Sequence, residues 1–124
     1  AVVSSRSIGL ACYDFPLCNG LPLPAYWNGA IGWQFTHRLM GYSIFTVIAG
    51  LALVARLMDE AAHERRRSLA LLGLVCVQIL LGGINVWYRI PPMASAAHLA
   101  VAVFLFAVLV DRNIRARPPV EEDI

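Results

Sequence analysis

The sequence predicts an all-α integral membrane protein in which three transmembrane helices form part of an antiparallel four-helix bundle. Of its 124 residues, 59% are hydrophobic and only 15% are charged. A soluble domain of this size has too little interior to bury that much apolar surface. The apolar residues also fall into three long runs, which are separated by short segments rich in charge or proline.

Each apolar run is long enough to cross a bilayer, since about 20 helical residues span a hydrocarbon layer roughly 30 Å thick. The first predicted span covers about residues 31–58, the second 68–88 and the third 94–110. A charged loop at 59–67 and a tight turn at 89–93 connect them. Because both connections are short, consecutive helices should run antiparallel.

The flanking segments define the rest of the organisation. Residues 1–30 contain Gly, Pro, Asn and two Cys, and the two prolines within 20–24 exclude a regular helix interior there. We therefore expect a structured loop at 1–30, a helical membrane domain at 31–110 and a polar tail at 111–124. Because the chain starts at Ala1 and shows three spans, we expect a further helix to precede it and complete an even bundle.

The charge distribution predicts the orientation. All ten basic residues are arginines, and six of them lie at 65–67 and 112–117, beside the apolar spans. Topology explains these clusters more simply than a nucleic-acid partner, and the positive-inside rule assigns them to the cytoplasm. The loop at 1–30 then lies outside a plasma membrane or a mitochondrial inner membrane. An aromatic belt at that outer face would contain Trp27, Trp33, Trp87 and Tyr88.

Two of the three histidines lie within predicted spans. His63 falls in the charged loop and should be solvated, whereas His37 and His98 lie near the outer ends of the first and third spans. Ionisable side chains inside membrane helices are costly and usually functional. Two imidazoles at matched depth on facing helices can ligate one haem iron from opposite sides of the macrocycle.

Small residues accompany both histidines. Gly41 lies one turn from His37, and Ala94 and Ala102 each lie one turn from His98. Positions i and i+4 share a helix face, so these residues would leave room for a porphyrin. Close packing of membrane helices through small residues gives the same pattern. Spacing alone does not distinguish the two interpretations.

Two polar residues neighbour His37. Arg38 could bind a haem propionate, since guanidinium pairs with carboxylate in a bidentate fork. The alternative is an interfacial arginine that extends to water. Gln34 lies one turn before His37. It could hydrogen-bond a ligand, a water molecule or another helix.

The second span combines a polar face with two glycines. Gln78 and Asn85 are two helical turns apart, which predicts hydrogen bonds to a neighbouring helix. Gly82 and Gly83 lie between them and should allow close approach of another element.

Cys12 and Cys18 are six residues apart in the outer loop. An oxidising compartment favours a disulfide between them, and a redox-active thiol pair or a metal site are the alternatives. The spacing matches no standard zinc pattern, and the absence of a Cys-x-x-Cys-His motif excludes covalent c-type haem. Cys76 lies inside a span, where we expect it to act as a small apolar core residue.

Three segments resemble motifs of the haem A synthase family. They are Gly9-Leu-Ala-Cys-Tyr-Asp-Phe-Pro-Leu-Cys-Asn-Gly20, Gln34-Phe-Thr-His-Arg38, and Gln78-Ile-Leu-Leu-Gly-Gly-Ile-Asn-Val86 followed by Pro91 and His98. Their order and spacing agree with the family over roughly residues 9–110.

The resemblance implies a function. Members of this family oxidise a methyl group of haem O to the formyl group of haem A, for cytochrome oxidase assembly. The usual protein has two similar four-helix halves, each with a histidine pair, one for the substrate haem and one for a haem B cofactor. His37 and His98 match one axial pair. Cys12 and Cys18 match loop cysteines that form a disulfide in some members.

The chain also departs from the family pattern. The substrate half usually carries Glu three residues before its first histidine, where this chain has Gln34, and an amide cannot titrate. Tyr13 replaces the usual proline. The chain therefore resembles the haem B half, with haem, lipid and a second haem-binding half as expected partners. Whether it is itself an enzyme stays open, and the alternative is a non-catalytic haem b or structural subunit of a respiratory or photosynthetic complex.

Overall fold

The structure is a computed structural model that describes residues 9–58 and 61–115, and its architecture is all-helical. Helix α1 spans Gly29–Leu57, α2 spans Ala62–Trp87 and α3 spans Pro92–Arg115. All three are long and apolar enough to cross a membrane. The predicted all-α membrane fold is therefore confirmed.

The helices extend beyond the predicted spans, because a helix can continue past the end of its apolar segment. Helix α2 begins at Ala62, so His63 lies in its first turn and is exposed there instead of lying in a loop. Helix α3 begins at Pro92, since proline is tolerated in a first helical turn. The predicted features at 1–8, at 59–60 and in the tail at 116–124 lie outside the described residues.

Helix α2 is the central element, and it packs against both α1 and α3. The buried core of these contacts consists of Ile48, Leu71, Val75 and Leu105. Many other large apolar side chains are exposed, including Leu51 and Phe106. That distribution suits helices that are surrounded by lipid.

The turn between α2 and α3 holds these helices antiparallel. Ile90 donates its backbone N–H to the carbonyl of Asn85 (2.7 Å), and Arg89 and Ile90 both adopt positive φ angles of 55° and 61°. The Ser95 hydroxyl then donates to Asn85 Oδ1 (3.0 Å). Asn85 thus makes the interhelical hydrogen bond that its place on the polar face predicts.

The segment 9–28, named here the cap loop, folds over the N-terminal end of α1. Cys12, Cys18 and Phe35 form a small buried cluster with Ile31 packed against it. The Asp14 carboxylate accepts backbone N–H groups from Asn19 and Gly20, both at 2.7 Å. This closes a tight turn in which both residues have positive φ.

Candidate functional site

A cavity of about 600 Å³ lies between the three helices, at the end of the bundle that the cap loop covers. Its lining includes Phe15 of the cap loop, His37 of α1, Gly82 of α2 and His98 of α3. Cofactor and small-molecule sites typically measure about 300–1,000 Å³. The cavity therefore has room for a cofactor-sized ligand.

The two histidines that the sequence places at matched depth in the membrane, His37 and His98, lie close together in the structure. The ring centres of His37 and His98 are 6.4 Å apart, and the ring planes are inclined at 79°. They extend from α1 and α3, so each ring reaches the cavity from a different helix. His63 lies on the first turn of α2, far along that helix from the residues that line the cavity.

The imidazole of His98 is oriented by Gln78. Its Nδ1 lies 3.1 Å from the backbone carbonyl oxygen of Gln78, and its Nε2 lies 3.5 Å from the Gln78 side-chain Nε2. A carbonyl can only accept, so Nδ1 carries the proton in this arrangement and Nε2 keeps its lone pair. Histidines that bind metals are commonly fixed in this way, with the other ring N–H donated to a carbonyl.

Gly82 makes this contact possible. A Cβ atom at Gly82 would lie 3.3 Å from His98 Cε1, which is tighter than ordinary packing. Gly82 is one turn after Gln78 on α2. Since it has no side chain, the imidazole can approach the carbonyl at the helix surface.

Small residues also shape the rest of the cavity. Gly41 and Ala102 both line it, as their positions beside the histidines predict. Among the described residues, nothing lies within 4 Å of where a Cβ at Gly41 would be. Ala94 does not line the cavity, although its spacing from His98 matches that of Ala102.

Arg38 binds the cap loop. It is buried (7% exposed), and its guanidinium donates to the backbone carbonyls of Leu17 and Cys12, the latter at 3.1 Å. It also lies 5.6 Å from the ring centre of Phe15. The sequence interpretations of Arg38 did not include these contacts to the cap loop.

Gln34 binds the same loop. Its Oε1 accepts the backbone N–H of Cys12 (2.6 Å), and its Nε2 donates to the carbonyl of Gly9 (2.6 Å). A neutral amide offers one acceptor and one donor group, which is what these two backbone groups require. The sequence analysis expected a ligand, a water molecule or another helix as the partner of Gln34. It did not include the backbone of the cap loop.

Two buried polar atoms of the cavity residues have no hydrogen-bond partner within the described part of the chain. They are the hydroxyl of Tyr42 and Oε1 of Gln78. Buried polar groups are nearly always paired, so an unpaired one beside a cavity marks a place where a bound molecule can supply the partner. Sequence reasoning missed Tyr42, whose only signal is its position one turn after Arg38.

Cys12 and Cys18 are fully buried and lie side by side, with Cα atoms 4.6 Å apart. That separation is within the range of cysteine pairs that can be bridged. Across residues 9–58 and 61–115, no three His, Cys, Asp or Glu side chains are grouped so that they could hold a metal ion.

Comparison with known proteins identifies the family. The family model COX15-CtaA, described as cytochrome oxidase assembly protein, matches residues 1–110. The chain belongs to this family. The matched region contains the cap loop, both cavity histidines and nearly all of the three helices, in agreement with the resemblance of the motifs.

Similar curated proteins are named haem A synthase. One from Caulobacter sp. (strain K31) is 32% identical over 96% of this chain and 38% of its own length. One from Paracoccus denitrificans is 29% identical over 100% of this chain and 35% of its own length. The chain thus spans about a third of the length of these relatives. No solved structure matches the chain at a significant level.

A Gln34→Glu substitution should make the stability of the cap loop depend on pH. A neutral carboxylic acid can still donate to the Gly9 carbonyl, whereas an ionised carboxylate can only accept. We expect the Tm of the variant in detergent to be near wild type at low pH and to fall further below it as pH rises. Loss of a buried hydrogen bond costs about 1–3 kcal/mol.

Asn113→Asp is the matched control, because it makes the same change at an exposed position of α3. Its Tm difference from wild type should vary little over the same pH range. If the Tm difference between Gln34→Glu and wild type does not grow with pH, the hydrogen bond donated to Gly9 is not needed for stability.

Proposed function

We propose that this chain is a haem-binding half of a haem A synthase-type membrane protein, with haem B held between His37 and His98. The observation that carries the proposal is the pair of imidazoles on facing helices, 6.4 Å apart across a cavity of about 600 Å³. Membership of the family supports it, since the curated relatives are named haem A synthase.

The residues present fit a haem in three respects. The ring centres of His37 and His98 are 6.4 Å apart, so the two imidazoles are close enough for both to hold one haem. His98 is held with Nε2 as the unprotonated ring nitrogen. The open space beside Gly41 and the small side chain of Ala102 leave room for a flat macrocycle.

When bound, a bis-histidine haem supplies a one-electron carrier whose potential depends on its ligands, hydrogen bonds and burial. The chain controls each of these factors through its own residues. Gln78 fixes the ring of His98 from the second helix. Phe15 of the cap loop lines the cavity and packs against Trp87, with ring centres 5.9 Å apart, and so contributes to the burial of the site.

Gln34 supports a haem B half over a substrate-oxidising half. Its amide cannot titrate, and both of its polar ends are occupied by the backbone of the cap loop. It therefore neither accepts nor delivers a proton. We infer that the oxidation of haem O, where this chain takes part in it, takes place in a second haem-binding half.

The same feature favours a second candidate function. A chain that holds one haem and has no titratable group at position 34 also fits a non-catalytic haem b subunit of a larger membrane complex. Both functions place haem B in the chain, and they differ in the partner that accompanies it.

We further propose a disulfide between Cys12 and Cys18, and an extracytoplasmic position for the cap loop. Burial of both cysteines with Cα atoms 4.6 Å apart supports the bond, which an oxidising compartment would maintain. The arginines at 65–67 lie on the first turns of α2, at the end of this helix that is away from the cap loop. By the positive-inside rule that end is cytoplasmic.

The haem content of the purified chain tests the main proposal. We expect a low-spin haem spectrum, with haem B as the species found after acid–acetone extraction and mass detection. His37→Ala and His98→Ala should each abolish that spectrum, because each removes one of the two residues that would hold the haem.

His63→Ala is the control for these variants, since His63 is exposed at the other end of α2. It should retain the full haem content. Haem O, haem A or intermediates between them would replace the haem B assignment with a substrate half. A folded chain without haem would refute both candidate functions.

Gly82→Ala tests the orientation of His98. The added methyl group would meet the imidazole at 3.3 Å, so the ring must move away from the Gln78 carbonyl. We expect a shifted low-spin spectrum and a changed haem potential, with the chain still folded. Gly73→Ala is the matched control, because a Cβ at Gly73 meets no described heavy atom within 4 Å. Equal spectra for both variants would remove Gly82 as a determinant of the site.

Thiol labelling tests the disulfide. Unfolded protein prepared without reductant should expose one reactive thiol, Cys76, and reduction should raise the count to three. Three reactive thiols before reduction would exclude the bond.

A further inference from the structure

A second cavity, of about 800 Å³, lies between α2 and α3 at the end of the bundle away from the histidines. Its floor is apolar and includes Leu74, Phe104 and Val108. Arg112, at its mouth, is 14 residues beyond His98 on α3, which corresponds to roughly 21 Å along a helix. The groove is therefore separate from the haem site.

Positive charge is in excess at the mouth of this groove. Three arginines, Arg67, Arg112 and Arg115, line it with two carboxylates, Glu64 and Asp111. Glu64 is shared between Arg67 at 2.9 Å and Arg112 at 3.6 Å. Asp111 is paired with Arg115 at 2.8 Å. Glu64 therefore serves both remaining guanidinium groups, and an anion would complete the balance.

Arg112 is the residue best placed to bind that anion. Its side chain is 40% exposed, and its contacts to Glu64 (3.6 Å) and to the Ser68 hydroxyl (3.5 Å) are both long. A guanidinium has five donors in a rigid fork that matches the oxygens of a phosphate. These two contacts leave most of that fork available within the described structure.

The geometry points to a binding site for an anionic phospholipid, with its phosphate on Arg112 between Arg67 and Arg115. One acyl chain would then lie along the apolar floor beside Phe104, which is 60% exposed. Ala70, on the α2 wall of the groove, leaves space for that chain. This site is independent of the proposed haem function.

A lipid explains the groove better than a free anion does. Both flanking helices are long and apolar enough to cross a membrane, so acyl chains surround the groove at high concentration. The apolar floor would contribute nothing to the binding of inorganic phosphate. Basic pockets between membrane helices at the end of the bundle are known to bind anionic headgroups.

Native mass spectrometry of the full chain in detergent tests the site. We expect one phosphatidylglycerol to bind in preference to phosphatidylcholine with the same acyl chains. Arg112→Gln should weaken this binding roughly fivefold, as expected for the loss of one arginine near an anionic headgroup. Ala70→Phe should weaken it as well, because it fills the groove without a change of charge.

Arg66→Gln is the matched control, since Arg66 carries the same charge at the same end but does not line the groove. It should bind phosphatidylglycerol like wild type. Equal losses for Arg66→Gln and Arg112→Gln would overturn the site in favour of diffuse charge attraction. Full binding by Ala70→Phe, or displacement of the lipid by glycerol phosphate, would overturn the role of the acyl chain. No preference for phosphatidylglycerol would overturn the proposal altogether.

Discussion

An irregular loop can lie against a membrane helix only if the polar groups of its backbone find partners, and this requirement governs the structure around the cavity. The cap loop has almost no regular secondary structure to pair its own backbone. Two side chains one turn apart on α1, Gln34 and Arg38, meet the requirement. Between them they bind the backbone of Gly9, Cys12 and Leu17.

The positions of Phe15 and the histidines depend on this attachment. With the loop fixed to α1, Phe15 packs onto α2, where a Cβ at Gly83 would lie 3.1 Å from its ring. The neighbouring Gly82 receives the imidazole of His98. Two consecutive glycines of the central helix thus accommodate the loop and the third helix at nearly the same depth.

The fold was predictable from sequence because it depends on composition and periodicity. The apolar runs located all three helices, and matched depth within those runs selected His37 and His98 from the three histidines. Helix ends were less accurate, since charged residues from 62 to 67 and from 111 to 115 continue the helices beyond the apolar segments. Hydropathy records the membrane span, whereas backbone hydrogen bonding determines where the helix begins and ends.

The roles of individual polar residues were not predictable, because each depends on contacts between distant parts of the chain. Arg38 and Gln34 face a loop more than 20 residues earlier, and only the folded backbone places its carbonyls within reach. Gln78 acts on His98 mainly through its main-chain carbonyl, which any residue would provide. The residue that the sequence does specify there is Gly82, since a Cβ at that position would lie 3.3 Å from the imidazole and crowd the contact.

The use of an amide at position 34 links the architecture of the site to its chemistry. The side chain at position 34 donates a hydrogen bond to the Gly9 carbonyl and accepts one from the Cys12 N–H. Glutamine is best suited to this position, because it does both without a change of charge. The same choice removes a titratable group from beside His37. Arg38 is also bound to the loop, so both of these polar neighbours of His37 on α1 hold the cap loop. For the haem that we propose, the cavity thereby offers a fixed position beside the cap loop.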